Sequence, residues 1–293
     1  MFPVMSASAR DALLTACAPL IWGSTYWVTS QWLPPDRPLT AAVCRVLPAG
    51  LLLLLWARQW PAAGQWRRVF GLAVLNIAVF QALLFVAAYR LPGGVAAILG
   101  ATQPLLVLGW AWLLDGQRPA GAVTTAAVLG VAGMALLLNA PGAQWDTVGV
   151  LAAALGAVSM ACGSYLAGRW QGCQLPVLAL TGWQLTLGGL CLAPLAWAWE
   201  PPLPALSLTQ GLAYGYLSLF GALLAYVLWF RGIVRLPAVA VSSLSLLSPL
   251  SAAVIGALAL GQWLHGWALA GWLLTLGSVL GVQRLSQRRR SRQ

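Results

Sequence analysis

Long apolar segments alternate with short polar loops along almost the whole chain. Each segment is close to the ~20 residues that a helix needs to cross ~30 Å of hydrocarbon. Prolines and diprolines near the segment ends mark the loops between them. This pattern predicts an all-α, polytopic membrane protein with ten transmembrane helices, which we place at residues 11–32, 38–57, 69–89, 92–114, 120–139, 147–168, 176–199, 209–230, 236–261 and 265–283.

The second half of the chain repeats the first. Arg90–Gln117 and Arg235–Gln262 match without a gap at an offset of 145 residues, and each contains a proline near the middle of its predicted helix. Phe80–Leu84 and Phe220–Leu224 also match, at an offset of 140. Because each half holds an odd number of predicted helices, the two five-helix repeats are expected to be inverted in the membrane. The predicted units are 10–141, 145–285 and a basic cytoplasmic tail at 286–293.

Composition supports a membrane protein, because 60% of the 293 residues are hydrophobic and only 7% are charged. All 16 basic residues are arginines, and they lie between apolar segments, so they indicate topology and not nucleic-acid binding. With both termini in the cytoplasm, thirteen arginines lie inside, Arg37 and Arg90 lie outside, and Arg45 lies within span two. We therefore expect an inner (plasma) membrane protein with cytoplasmic termini.

The five cysteines form no CxxC or Cys/His pattern, so neither a metal site nor a cofactor is predicted. A membrane-embedded enzyme acting on a lipid-linked substrate is an alternative function. It would need a nucleophile, a pair of acids or a metal cluster, and the sequence shows no such group. The inverted repeat instead favours a transporter with a small-molecule substrate, whose site lies between the two halves near the middle of the bilayer.

Arg45 lies well inside a predicted span, about 9 Å below the outer surface. A buried arginine in a membrane helix is expensive and indicates function, such as holding a substrate carboxylate. Snorkelling or hydrogen bonding between helix ends is the structural alternative, and both remain open. Gln184 is its expected partner in the second repeat. Since the middle of the spans contains no Asp, Glu or His, we expect a facilitator, with a proton-coupled drug exporter as the alternative.

Further candidates for substrate binding are polar or aromatic residues in the middle of the spans. Buried amides and hydroxyls cost free energy unless paired, so these residues predict either interhelical hydrogen bonds or contact with substrate. The aromatic residues are expected either to line an apolar cavity or to pack between helices. The candidates are Asn76, Gln81, Gln103, Ser164, Ser245 and Ser248, with the aromatic residues Trp22, Phe80, Trp183 and Tyr214.

Two mid-span prolines, Pro104 and Pro249, predict kinks in spans four and nine. Proline has no N–H and clashes with the carbonyl four residues earlier, here those of Gly100 and Ser245. We expect both carbonyls to face the central cavity and the kinks to serve as hinges, with a static kink as the alternative. Small residues in spans five and ten indicate close helix packing or a homodimer face, at Gly130, Gly133, Gly277 and Gly281.

The motif Trp22-Gly23-Ser24, followed by Arg45, Gln103-Pro104 and Gly116, resembles the EamA type of the drug/metabolite transporter superfamily. The resemblance covers both halves and implies a ten-helix metabolite exporter, similar to aromatic amino-acid exporters of the YddG type. It adds Ser24 to the candidate substrate-binding residues. Gln117 and Gln262 stand where the family often has Glu. We expect export of small amphipathic metabolites, amino acids including aromatic ones, by alternating access.

Overall fold

The computed structural model describes residues 7–116, 118, 121–139, 145–236 and 244–290, and all of its regular structure is helical. Among these residues, seven helices are long and apolar enough to cross a membrane, and two shorter apolar helices follow at Leu247–Leu260 and Gly266–Val282. The first helix, Ala7–Trp32, has 26 residues and contains Pro19. The prediction of an all-α, polytopic membrane protein is confirmed.

The described α-helices fall close to the predicted spans. In chain order they are α1 Ala7–Trp32, α2 Pro38–Ala57, α3 Trp66–Ala73, α4 Phe80–Arg90, α5 Gly93–Gly100, α6 Gln103–Asp115, α7 Gly121–Leu138, α8 Thr147–Arg169, α9 Val177–Trp199, α10 Leu208–Ser218, α11 Ala225–Arg235, α12 Leu247–Leu260 and α13 Gly266–Arg290. Short 3₁₀ turns lie at Ala63–Gln65 and Gln171–Gln174.

Spans three and eight each contain a π-helical turn within an otherwise continuous helix. The turns cover Val74–Val79, between α3 and α4, and Leu219–Leu224, between α10 and α11. The two turns correspond at an offset of 145 residues, as do the C-terminal residues Arg90 and Arg235. The match between Phe80 and Phe220 at an offset of 140 is therefore not the correspondence that the helices follow.

Spans four and nine are interrupted. A turn at Ala101 and Thr102 separates α5 from α6, and Leu246 forms a turn directly before α12. Pro104 lies in the first turn of α6, where a missing N–H leaves no helical hydrogen bond unmade. Each proline thus stands near the start of a second helical segment, and the break lies a few residues before it. The side chain of Pro104 lies outside the described residues.

Small residues bring helices of the two halves into close contact. The Cβ that alanine would add at Gly50 of α2 would lie 2.6 Å from the backbone nitrogen of Thr186 in α9. Between α7 and α13, the corresponding distance from Gly133 to the nitrogen of Thr275 is 2.7 Å. Gly130 likewise faces Ser278, so both α7 glycines pack within the chain and are covered. These contacts favour the helix-packing interpretation over a homodimer face.

Gly277 and Gly281, the two glycines predicted for helix packing in span ten, lie less close to other helices than Gly130 and Gly133 do. Gly281 lies near Ala126, and a Cβ at Gly277 would meet open space. The homodimer face at spans five and ten therefore stays a prediction.

Polar contacts connect the helix ends. The Glu200 carboxylate accepts hydrogen bonds from the backbone N–H groups of Leu39 and Thr40, at the N-terminus of α2, where the helix dipole favours an anion. Asp146 caps α8 by accepting from the Gly149 N–H at 2.7 Å and pairs with Arg90 at 3.1 Å. These side chains fix loops against helix ends outside the apolar core.

Candidate functional site

A central cavity of about 1130 Å³ lies among the helices of both halves. Its lining comes from α1 and α2, spans three and four, α8 and α9, α11, α12 and α13. Most of the lining is apolar, and polar side chains contribute a few separate groups. A mainly apolar pocket with a few polar groups is the usual form of a small-molecule site.

Most of the predicted binding residues line this cavity. They are Trp22, Arg45, Asn76, Phe80, Gln81, Gln103, Ser164, Gln184, Ser245 and Ser248, together with the predicted hinge residues Gly100 and Pro249. Residues from both halves, distant in sequence, therefore meet around one space.

Three predicted residues do not line the cavity. Ser24 is two residues from Trp22, which places it on nearly the opposite side of α1, and its hydroxyl lies 2.7 Å from that of Tyr216. Trp183 turns away from its neighbour Gln184, donates to the Gln59 carbonyl at 2.9 Å and packs on Trp60 and Trp66.

Tyr214, the third of these residues, is buried among apolar residues that include Phe85, Ala42 and Leu217. Ser24, Trp183 and Tyr214 therefore lie outside the lining of this cavity, and a substrate contact of these three residues stays a prediction.

Arg45 is 4% exposed and points into the space between α2 and the π turn of span eight. Its Nη2 donates to the Gly221 carbonyl at 3.2 Å, and its guanidinium carbon lies 5.8 Å from the centroid of the Phe85 ring. Nε and Nη1 have no hydrogen-bond partner among the described residues. A cation with unused donors, held in an apolar bundle, is suited to receive an anion.

Two amides of the cavity lining face each other. Asn76 Nδ2, in the π turn of span three, donates to Gln184 Oε1 at 2.8 Å. Gly163 allows this approach, because a Cβ there would lie 1.9 Å from Asn76 Oδ1. Asn76 Oδ1 and Gln81 Oε1 are buried acceptors without a partner among the described residues. The correspondence of Gln184 with Arg45 in the two repeats stays a prediction.

Aromatic rings form one wall of the cavity. The Trp22 ring lies 5.7 Å from Tyr226 and 5.3 Å from Trp229, and its Nε1 donates to the Gly221 carbonyl at 3.1 Å. The sequence-based list of binding residues missed Trp229 and Tyr26, which also line the cavity. Their apolar surroundings in the sequence resemble those of aromatic residues at the bilayer interface, so no pattern distinguished them.

Among the described residues, no group of three or more His, Cys, Asp and Glu side chains is placed to hold a metal ion. The polar chemistry of the cavity comes from a guanidinium, amides and hydroxyls.

The fold and the cavity define a polytopic helical membrane protein with a central chamber shared by both halves. The model of the EamA-like transporter family matches residues 10–139 and again 147–284. The chain is 43% identical over 270 residues to Protein PecM of Dickeya dadantii, and the aligned region covers 92% of this chain and 91% of that protein. The chain therefore belongs to the EamA-like transporter family, and the resemblance seen in its motifs is confirmed.

Two further likenesses agree with this assignment. The chain is 30% identical over 247 residues to the uncharacterized inner membrane transporter YedA of Escherichia coli, over 81% of this chain and 78% of that protein. A solved crystal structure superposes with a TM-score of 0.64 at 20% identity, covering 96% of this chain and 99% of the other. The latter shows a shared fold. Membrane transport is the function that the family defines.

Proposed function

We propose that the protein exports small amphipathic metabolites, amino acids including aromatic ones, by alternating access across the inner (plasma) membrane. The observation that carries this proposal is the central cavity, where a buried guanidinium and amides face an aromatic wall. Such a lining suits a molecule with a charged or polar head and an apolar body. A volume of about 1130 Å³ is ample for an amino acid.

Alternating access is supported by matched features in the two halves. The family model matches twice, once in each half. The π turns correspond at an offset of 145 residues, and so do the left-handed glycines that end spans four and nine, Gly116 and Gly261. With five predicted spans in each half, this correspondence supports two inverted five-helix repeats around a common cavity. The interrupted spans four and nine supply joints at which each half bends, and we assign this hinge role to Gly100, Pro104 and Pro249.

Contacts at the helix ends support the proposed grouping of loops into two sides of the membrane. Arg90 pairs with Asp146, and both are assigned to the outer side. Asp11 pairs with Arg231 at 2.6 Å, and both are assigned to the cytoplasmic side. A reversed or shifted span would join residues from opposite sides.

The cavity extends toward the proposed cytoplasmic side. Its lining includes Ala167, Val177 and Val282, which lie at helix ends assigned to that side. Toward the outer side, by contrast, helices pack tightly: the Trp272 Nε1 donates to the Gly94 carbonyl at 3.2 Å, and a Cβ at Gly94 would lie 3.1 Å from Ala253. This arrangement suits an exporter waiting for its substrate in the cytoplasm.

We also propose that transport runs down the gradient of the substrate without proton coupling. The charged side chain of the described lining is the Arg45 guanidinium, which keeps its proton at physiological pH. Purified protein in liposomes loaded with a labelled amino-acid panel is expected to release aromatic amino acids faster than protein-free liposomes. An imposed pH gradient that concentrates the substrate several-fold would contradict the facilitator. Release of no member of the panel would contradict the proposed substrate class.

A further inference from the structure

We propose that Arg45 and Gln81 together bind the α-carboxylate and α-ammonium groups of the exported amino acid, so that the cavity selects zwitterions. This inference rests on the proposed export of amino acids and assigns how the cargo is held. Both side chains line the cavity, and their exposed fractions are 4% and 1%.

Arg45 supplies the site for the carboxylate. Nε and Nη1 together carry three N–H groups, and neither atom has a partner among the described residues. The Gly221 carbonyl accepts from Nη2 and from Trp22 Nε1, which fixes the guanidinium while leaving those donors available. A structural arginine would be expected to bond all of its donors to helix ends, because unmade hydrogen bonds in an apolar interior are costly. A planar anion with two oxygens matches the remaining donors.

Gln81 supplies an acceptor one helical turn from the ring that the Arg45 guanidinium contacts. The Arg45 guanidinium lies against the Phe85 ring, and Gln81 precedes Phe85 by four residues on the same face of α4. Along the helix axis, Gln81 and Phe85 are about 6 Å apart, which leaves room for an amino-acid head group between Gln81 and the guanidinium. The Gln81 Oε1 atom is buried and has no partner among the described residues, so it is available to accept from an ammonium group.

The π turn helps to keep Asn76, which carries a second acceptor, on the same side of span three as Gln81. Asn76 precedes Gln81 by five residues, a spacing that would separate them by ~140° on a regular α-helix. In a π turn the hydrogen bonds run from residue i to i+5, which brings residues five apart closer to one face. Asn76 and Gln81 both line the cavity as a result. Beside these head-group ligands, the rings of Trp22 and Tyr226 provide an apolar surface for the side chain of the cargo.

Binding of four ligands to the purified protein in detergent tests the inference. The probes are L-phenylalanine, its amide without the carboxylate, its N-acetyl derivative without the ammonium, and phenethylamine. The parent protein should bind each analogue at least about tenfold more weakly than phenylalanine, since each lacks a charge-assisted hydrogen bond. Equal binding of phenylalanine and its amide would overturn the role of Arg45. Equal binding of the N-acetyl derivative would overturn that of Gln81.

Two variants test the two head-group contacts separately. Arg45→Gln should lose the preference for phenylalanine over its amide and keep the preference over the N-acetyl derivative, and Gln81→Met should show the reverse. Arg67→Gln removes the same charge at an exposed position outside the cavity and should keep both preferences. If Arg45→Gln retains the preference over the amide, the assignment is wrong. If a variant does not fold, the four-ligand comparison on the parent protein decides alone.

Transport of the same probes in liposomes separates this inference from the proposed function. Selective binding without transport would leave the site in place and contradict export. Transport of all four probes at one rate would leave export in place and overturn the zwitterion site. Neither binding nor transport of any probe would overturn both.

Discussion

Replacing Gly163 with alanine tests how closely α8 approaches the π turn of span three. The added Cβ would lie 1.9 Å from Oδ1 and 2.6 Å from Cγ of Asn76. Ordinary van der Waals contact begins at 3.4 Å, so the Asn76 side chain must move by about 1.5 Å. Asn76 Nδ2 donates to Gln184 Oε1 at 2.8 Å, and a displacement of this size takes the pair beyond hydrogen-bond range.

The expected cost follows from this lost bond. Side-chain hydrogen bonds between membrane helices contribute about 1 kcal/mol. Leaving a buried amide unpaired adds roughly 1 kcal/mol or more. We therefore expect Gly163→Ala to lower the free energy of unfolding by about 2 kcal/mol. The melting temperature should fall by about 5 °C.

Intrinsic fluorescence of the 17 tryptophans during heating in detergent measures this change. Gly168→Ala is the matched control, because Gly168 lies on the same helix and a Cβ there meets no atom within 4 Å. The control should melt at or above the parent temperature, since alanine favours a helix. In the background Asn76→Ala, where the clash is gone, adding Gly163→Ala should cost nothing further. A Gly163→Ala protein that melts like the Gly168→Ala control refutes the reasoning.

Three further predictions concern topology, hinge motion and pH. In a variant without the five native cysteines, a cysteine added beside Asp146 should react with a membrane-impermeant reagent from outside, and one beside Arg169 from the cytoplasm; the reverse pattern contradicts the topology. Pro249→Ala should fold and transport several-fold more slowly, whereas Pro48→Ala, at an exposed mid-helix proline in α2, should transport at the parent rate; equal rates for both contradict the hinge. The Gly149 N–H and, secondarily, Arg90 lower the pKa of the Asp146 carboxyl below its usual value of 3.8. Its stabilising effect is therefore present above that value and is lost as pH falls through the lowered pKa, so Asp146→Asn should melt about 1–2 °C lower at pH 7, and the difference should shrink as pH falls below 3.8; a difference that does not change with pH contradicts this account.

The positions of the helices were predictable because hydrophobic length is dictated by the bilayer. The second helix was predicted at 38–57 and is found at Pro38–Ala57, and most other ends differ by a few residues. The interruption of span four was expected at Pro104 and instead lies at Ala101 and Thr102. A proline locates a helix break only approximately, because proline is favoured in the first turn of the helical segment that follows the break.

The direction in which each side chain points was harder to predict. A helix that is apolar on all sides shows no stripe that separates the cavity face from the lipid face. Polar residues such as Asn76 and Gln184 reveal the cavity side of their helices, since an unpaired amide is not tolerated toward lipid. Trp183 and Tyr214 carry no such restriction, and both lie outside the lining of the cavity to which they were assigned. The π turns were also unpredictable, because no sequence signal distinguishes Val74–Val79 from ordinary helix.

Each π turn places one more residue in a helix than the regular geometry would use. Deleting a single residue from Val74–Val79 would let the helix return to the α form without breaking it. If the lost residue lies between Asn76 and Gln81, the two would be four residues apart, about 40° on a regular α-helix, and both would still face the cavity. The π turn thus accommodates one extra residue while the helical segments on its two sides keep their orientation. Loss of one residue between Asn76 and Gln81 should therefore be tolerated more readily than loss of one residue from the regular helix α9, where the side chains on the two sides of the deletion would rotate by about 100° relative to each other.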